Sequence, residues 1–300
     1  MGMENKRIKS TWREKIFYAF GNMGSYVLWA FVATYVTIYV TECLQPGEGN
    51  IQVIGTIILV SRLFDALSDI VMGVVIEKTH SRLGKARFWF GVSILPLILV
   101  FFFLFFVSGL DKFAAIIVLS VLYFLFTVVF YTMNNIAFNA MLPRISDDPF
   151  DQSNICTVDS IFTSAGGLVG AIGIWALNSF GGQNLQSSWT YFVLILAVFA
   201  FVCEALCFFG LREKKEIVEK SPVHPKKGET WRGLKALFKI PYFYMAIAMF
   251  AINYYNSLSV TSIGKYYALA VLHNEYAFSI FGSVPMFTMA VGLLLTPLLV

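Results

Sequence analysis

The chain has 300 residues, of which 58% are hydrophobic and only 13% charged, with a formal net charge of +4 and a mean hydropathy of +0.71. A soluble domain of this length carries about twice that charged fraction. Long uncharged runs and 30 Phe exclude a soluble domain, and the absence of short alternating segments excludes a membrane barrel. An all-α polytopic membrane protein is the class that remains.

Eight hydrophobic spans are predicted, over 16–41, 51–76, 88–110, 113–141, 155–180, 190–211, 242–271 and 276–300. The first six make an N-terminal six-helix bundle within residues 1–211. Residues 212–241, charged and carrying Pro222 and Pro225, read as a cytoplasmic linker, and 242–300 as the first two spans of a second bundle. Of the 22 Lys and Arg, 19 fall in the N-terminal segment or in the loops after the second, fourth and sixth spans. Positive residues mark the cytoplasmic side, so a multi-pass protein of the plasma (inner) membrane with its N-terminus inside is expected. The first apolar run is too long for a secretory leader and is expected to serve as its own insertion signal.

Span one places Asn22, Ser25, Tyr26 and Trp29 on one helical face, where aromatic planes beside amides could stack on a sugar ring. Such aromatics are so frequent here that ordinary packing explains them as well. Span two carries Arg62, Asp65 and Asp69 within an arc of about 60°. Counted from Ile51, Asp65 lies about 20 Å along the span, near the bilayer midplane. One guanidinium offsets only one of two carboxylates, so a monovalent cation or proton would restore neutrality. The plainer alternative is a fixed Arg62–Asp65 pair that holds helices together.

The loop after span two reads Gly73-x3-Glu77 followed by Arg82-x-Gly84-Lys85-x-Arg87. Its charges suit positive-inside anchoring, and its glycine spacing suggests a breakable clasp between helix ends. Span four repeats the spacing of span two without charge, with Thr132, Asn135 and Asn139, and with Asn134 adjacent. These oxygens could serve a hard cation or a hydroxylated solute, or merely join helices. In span five Gly166, Gly170 and Gly173 form a packing stripe, and Asp159 reads either as a solute-site acid or as a helix-start residue. Glu204 in span six and Lys265 in span seven are lesser intramembrane candidates. Span seven, with Tyr244, Asn253, Asn256 and Ser257, weakly echoes span one, as duplicated bundles do. The last span is uncharged and reaches Val300 without a polar anchor, so further spans are expected beyond it.

Cys43, Cys156, Cys203 and Cys207 offer neither metal spacing nor a disulfide framework. His80 and His224 lie in loops and His273 at a span boundary, and no nucleophile–base pair or phosphate-cradling loop appears. An enzyme is not expected, nor a nucleic-acid partner, a resident cofactor, or any metal beyond a monovalent ion.

Several strings together resemble the glycoside–pentoside–hexuronide:cation symporters, the melibiose-permease-like branch of the major facilitator superfamily. They are Tyr18-Ala-Phe-Gly-Asn-Met-Gly, Arg62-Leu-Phe-Asp-Ala-Leu-Ser-Asp-Ile-Val-Met-Gly, Arg82-Leu-Gly-Lys-Ala-Arg and Tyr131-Thr-Met-Asn-Asn-Ile-Ala-Phe-Asn-Ala-Met-Leu-Pro. The resemblance implies the fold of that superfamily, twelve spans in two six-helix bundles, of which eight are present. It implies that Asp65 and Asp69 are the acids of a cation site for Na+ or H+, joined by Thr132 and by Ser68, which stands where melibiose permease has Asn. At the solute site Tyr26 and Asn135 stand where that permease has acids, Asn139 where it has Trp, and Asp159 where it has Arg. The substrate set expected on both grounds is Asn22, Tyr26, Trp29, Arg62, Asn135, Asn139 and Asp159.

The expected function is therefore secondary active transport: cation-coupled symport of a sugar or glycoside by alternating access. A carrier for a lipid-like or other polar solute, or a non-transporting sensor or partner subunit derived from a carrier, stays open on the sequence alone.

Overall fold

A computed structural model describes residues 8–45, 48–182, 184–214 and 238–273. The eighth predicted span, 276–300, and most of the linker lie outside these residues. The described chain falls into two compact units, which divide after Lys214.

The first unit is a bundle of six membrane-length helical rods. They are α1 (Trp12–Ile38), extended by a π-helical stretch (Tyr39–Leu44); α2 (Glu48–Lys78); α3 (Lys85–Leu104); and α4 (Lys112–Phe124), which runs through a second π-helical stretch (Leu125–Tyr131) into α5 (Thr132–Ile145). The last two are α6 (Pro149–Ser179) and α7 (Gln186–Gly210). The described part of the second unit holds α8 (Pro241–Ala270). Four rods, 12–44, 85–104, 112–145 and 186–210, are long and apolar enough to cross a membrane. The rods α2 and α6, of 31 residues each, are also long enough to cross, and they carry the polar groups Arg62, Asp65, Asp69 and Asp159.

Local chemistry sets the helix starts. Thr11 caps α1 by accepting from the Glu14 N–H at 3.3 Å, while the Glu14 carboxylate accepts from the Thr11 N–H at 2.7 Å. Asp148 caps α6 ahead of Pro149, whose missing N–H costs nothing in the first turn. The third span ends at Leu104, earlier than predicted, because Phe105 and Phe106 bond back to Phe102 and Phe103 in tight turns.

α1 is the central rod and packs along α6 and α7, while α3 packs on α5 and α7. Phe31 and Tyr35 of α1, with Tyr39 at the start of its π-helical extension, meet Phe105 and Trp189, whose rings lie stacked 5.8 Å apart. The Tyr39 hydroxyl is fully used: it donates to Gln186 Oε1 at 2.9 Å and accepts from the Val107 N–H at 3.2 Å. Gly166 and Gly173 of α6 do face α1. A Cβ on Gly173 would lie 2.5 Å from the buried Tyr35 ring, so the close approach requires glycine.

At the end of the bundle where α1 begins, Lys15 of α1 and Asp151 of α6 pair at 2.7 Å, both nearly covered, and Asp151 also accepts from Ser10. α6 has 31 residues, about 46 Å at 1.5 Å per residue, so its first turns extend beyond a hydrocarbon core of about 30 Å. Burial pushes the Asp151 carboxyl up, but the bonds from Lys15 and Ser10 outweigh it and hold the group well below the usual carboxylate range. A depressed folded value means stabilisation that is present above about pH 4 and lost as pH falls toward the folded value. Thermal unfolding in detergent should show a gap between wild type and Asp151→Asn that is full at neutral pH and closes on acidification. A gap independent of pH would refute this account of the pair.

Candidate functional site

The stripe on α2 faces the junction of the π-helical stretch with α5. Thr132, 3% exposed, donates from Oγ1 to Asp65 Oδ1 at 2.8 Å, and Ser68 Oγ donates to the Val128 carbonyl at 2.7 Å. Thr132 Oγ1 also lies 3.2 Å from the Thr127 carbonyl. Asp69 is more exposed and has Asp65 and Thr132 as its electrostatic neighbours. Among the described residues no basic nitrogen lies within 4 Å of either carboxylate, so the alternative of a fixed Arg62–Asp65 pair is not what the structure holds. A hydroxyl that donates its hydrogen keeps lone pairs, so Ser68 and Thr132 can point oxygen at a cation beside the two acids.

The expected solute face divides into two groups. Tyr26 and Trp29 stack with centroids 5.8 Å apart, and Trp29 stacks on Tyr131 at 6.3 Å. Asn135 donates to the Tyr131 hydroxyl at 3.4 Å, and Asn139 donates to both the carbonyl and the side-chain oxygen of Asn135. Tyr131 also has Tyr26, Asp65 and Arg62 for electrostatic neighbours, so the aromatic ladder lies near the Asp65 carboxylate that Thr132 contacts. Arg62, half-buried, forms no ion pair among the described residues.

Asn22 and Asp159 form the second group, joined by a bond of 2.8 Å from Asn22 Nδ2 to Asp159 Oδ2, with Asp159 Oδ1 buried and without a partner. The helix-start reading of Asp159 fails, because α6 begins ten residues earlier and Asp148 and Asp151 occupy its first turn.

The loop motif is only partly assembled. Gly84, Lys85 and Arg87 meet a residue the motif did not include: Glu213, just past the end of α7, accepts from the backbone N–H groups of Lys85 (3.2 Å), Ala86 (2.8 Å) and Arg87 (2.8 Å). Gly84 sits at φ +107°, and a Cβ there would lie 2.5 Å from the Glu213 carboxyl carbon. Arg87 donates to the Phe208 carbonyl at 3.1 and 2.8 Å. Gly73, Glu77 and Arg82 stay exposed, and Glu77 contributes only its backbone carbonyl, to Lys85 Nζ at 3.3 Å. The carboxylate fastening therefore joins α3 to the end of α7, while α3 is tied to the end of α2 through the Glu77 carbonyl and the Thr79 hydroxyl, which accepts from Trp89 Nε1 at 2.7 Å. Three orphan N–H groups and a helix dipole explain why an acid is used there.

Sequence reasoning also missed Tyr131 as a site residue, although it stands beside Thr132 in the quoted string. Asn134, named only as the neighbour of the span-four stripe, and Glu204, a lesser candidate, meet on the back face of α5 with Ser93, which the sequence did not single out: Asn134 Nδ2 donates to Ser93 Oγ at 3.1 Å and to Glu204 Oε2 at 3.2 Å. The side chains of Asn253, Asn256, Ser257 and Lys265 lie outside the described residues.

Residues 17–300 match the family described as MFS/sugar transport protein. The chain belongs to that family. Its similarity to the inner membrane symporter YicJ of Escherichia coli is 30% identity over 205 residues, 68% of this chain and 44% of that protein. The isoprimeverose transporter of Lactiplantibacillus pentosus is 26% identical over 75% of this chain and 46% of its own length. A putative 2,3-dihydroxypropane-1-sulfonate exporter of Escherichia coli is 23% identical over 97% of this chain and 62% of its own length. The chain thus spans less than two thirds of each of these relatives. Membership makes it an all-α membrane protein of a transporter family, not an enzyme.

Replacing Glu213 by Ala should leave three N–H groups of α3 without their acceptor and cost about 1–3 kcal/mol. A lower melting temperature for Glu213→Ala, with a smaller loss for Glu213→Gln, is the expected result; equal stability of all three proteins would show that the cap carries no weight.

Proposed function

We propose that this protein belongs to a secondary transporter that couples the movement of a small polar solute, a sugar or glycoside, to a monovalent cation, Na+ or H+. The observation that carries the reading is the Asp65–Thr132 contact: two acids on one helix face, one hydroxyl aimed at them, and no basic partner within 4 Å among the described residues. A carboxylate pair left with negative charge inside a bundle is stabilised by a bound cation. The names of the relatives, a symporter and an isoprimeverose transporter among them, support the same class of cargo.

In this reading the cation sits among Asp65, Asp69, Ser68 and Thr132. Tyr131 is next to Thr132 in the chain and joins the ladder of Tyr26 and Trp29, so ordering Thr132 around a cation also orders the surface on which a sugar ring would stack. Coupling of this kind is reciprocal: each ligand raises the affinity of the other by the same factor. Two such bundles, rocking about a shared cavity, would expose it to each side in turn. The distribution of Lys and Arg supports a cytoplasmic N-terminus, and a relative named as an inner membrane symporter supports the inner membrane.

A second reading of the cargo rests on Arg62. A half-buried guanidinium without an ion pair, beside the aromatic ladder, suits an anionic group such as a uronate or sulfonate. A relative named as a sulfonate exporter covers nearly the whole chain. Uptake by sealed vesicles with and without a sodium or proton gradient, competed with neutral and anionic sugars, separates the two readings. A lipid-like cargo or a non-transporting role would leave every sugar without effect.

Asp69→Asn should fold normally and lose the dependence of uptake on the cation gradient; gradient-driven accumulation equal to wild type would refute the cation site. Asn135→Ala should weaken solute binding more than cation binding when each ligand is titrated separately. Equal weakening of both would detach Asn135 from the solute face.

A further inference from the structure

Behind the proposed transport face, the bundle holds a carboxyl group that no step of that reading uses. Glu204 of α7 is fully buried, as are Asn134 of α5 and Ser93 of α3, the two residues that complete its polar cluster. The hydrogens can be counted. The Ser93 hydroxyl donates to the Phe90 carbonyl at 2.7 Å, and the Asn134 amide donates to Ser93 Oγ at 3.1 Å and to Glu204 Oε2 at 3.2 Å. Two acceptors then remain buried with no donor, Glu204 Oε1 and Asn134 Oδ1. The cluster is short of hydrogen.

The surroundings supply no cation to compensate a charge. On its own helix Glu204 neighbours the thiols Cys203 and Cys207. α1 presents Gly24, whose Cβ position would lie 3.1 Å from Glu204 Cγ, and α3 and α5 present Ser93 and Asn134. The charged groups closest to Cys207 are otherwise engaged: Arg87 donates to the Phe208 carbonyl, and Asp159 accepts from Asn22. Among the described residues no basic nitrogen lies within 4 Å of the Glu204 carboxyl. An unpaired carboxylate buried in this way costs several kilocalories per mole, whereas the neutral acid brings the missing donor with it.

We propose that Glu204 is a proton-binding site separate from the Asp65–Asp69 pair: it holds one proton as a neutral carboxylic acid, and its O–H donates to the Asn134 amide oxygen. The step is the simple addition of H+ from water to the carboxylate. The proton resides on Oε1, or on Oε2 with the Asn134 amide turned over, in which case the amide oxygen also faces Ser93 Oγ at 3.1 Å and the Ser93 hydroxyl turns its hydrogen from the Phe90 carbonyl to that oxygen. Asn134 is two residues from Thr132, about 200° around the helix, so the acid fastens the back of α5 while its front carries Thr132 and Asn135. The bound proton thereby acts as a positioning element for the face that transport would use.

Infrared difference spectroscopy of the purified, reconstituted protein tests this independently of any transport assay. At neutral pH the wild type should show the carbonyl stretch of a protonated carboxylic acid, shifted by D2O, that is lost in Glu204→Gln and kept in Asp65→Asn and Asp69→Asn. Asn134→Leu should shift this band without removing it, because the acid remains and its acceptor is gone. Glu204→Gln, whose amide supplies an N–H in place of the O–H, should keep whatever cation dependence of uptake the wild type has. A carboxylate signal in place of the acid band, a band removed by Asp65→Asn or Asp69→Asn, a band unmoved by Asn134→Leu, or a folded Glu204→Gln protein that has lost that cation dependence would each overturn the proposal.

Discussion

A carboxylate inside a helical bundle persists only if donors are aimed at it, and the Thr132 hydroxyl at 2.8 Å from Asp65 is that donor here. Its placement depends on the π-helical stretch 125–131 immediately before it. A π turn bonds i to i+5 and spends extra residues on each turn, so the face presented by the following helix is rotated relative to a plain α-helix. The same stretch offers the Val128 carbonyl to Ser68, so α2 is fastened to it at two points one helical turn apart. Without that irregularity the spacing shared by spans two and four would not by itself bring Thr132 to Asp65.

The bundle separates a rigid side from an open one. α1, α6 and α7 are joined by stacked rings and by glycines where a side chain would strike Tyr35. The ends are fixed by charge: Lys15 with Asp151 at α1 and α6, and Glu213 on the first turn of α3. In contrast, Asp69, Asn139 and much of α2 remain exposed within the described residues. Packing energy is concentrated away from the polar face, which leaves that face free to take a ligand. It also leaves unpaired groups, Arg62 among them, that a fully packed core would not tolerate.

The spans were legible because lipid-compatible helices need about twenty apolar residues, and the sequence supplies them in plain runs. The stripe Arg62, Asp65, Asp69 and its echo at Thr132, Asn135 and Asn139 were legible as helical spacing. The partners were not. Nothing in the linear pattern marks Glu213, an acid in a basic stretch, as the cap of a helix that begins 128 residues earlier, and the loop motif pointed instead to Glu77 and Arg82. Likewise Asp159 reads as close to a helix start because the polar turns 149–154 precede the apolar run and carry no hydrophobic signal of their own.

What the sequence by itself determined is the class: composition and periodicity, both local properties, settle that the chain folds as apolar helices in a bilayer and which faces carry charge. What only the tertiary structure decided is pairing: that Asp65 takes a hydroxyl instead of Arg62, that Tyr131 stacks with Trp29 and takes a bond from Asn135, and that Glu204 and Asn134 face each other one donor short. The physical reason is that a hydrogen bond is fixed by distances of about 3 Å between helices far apart in sequence, and helical spacing states the direction of a side chain but never what stands opposite it.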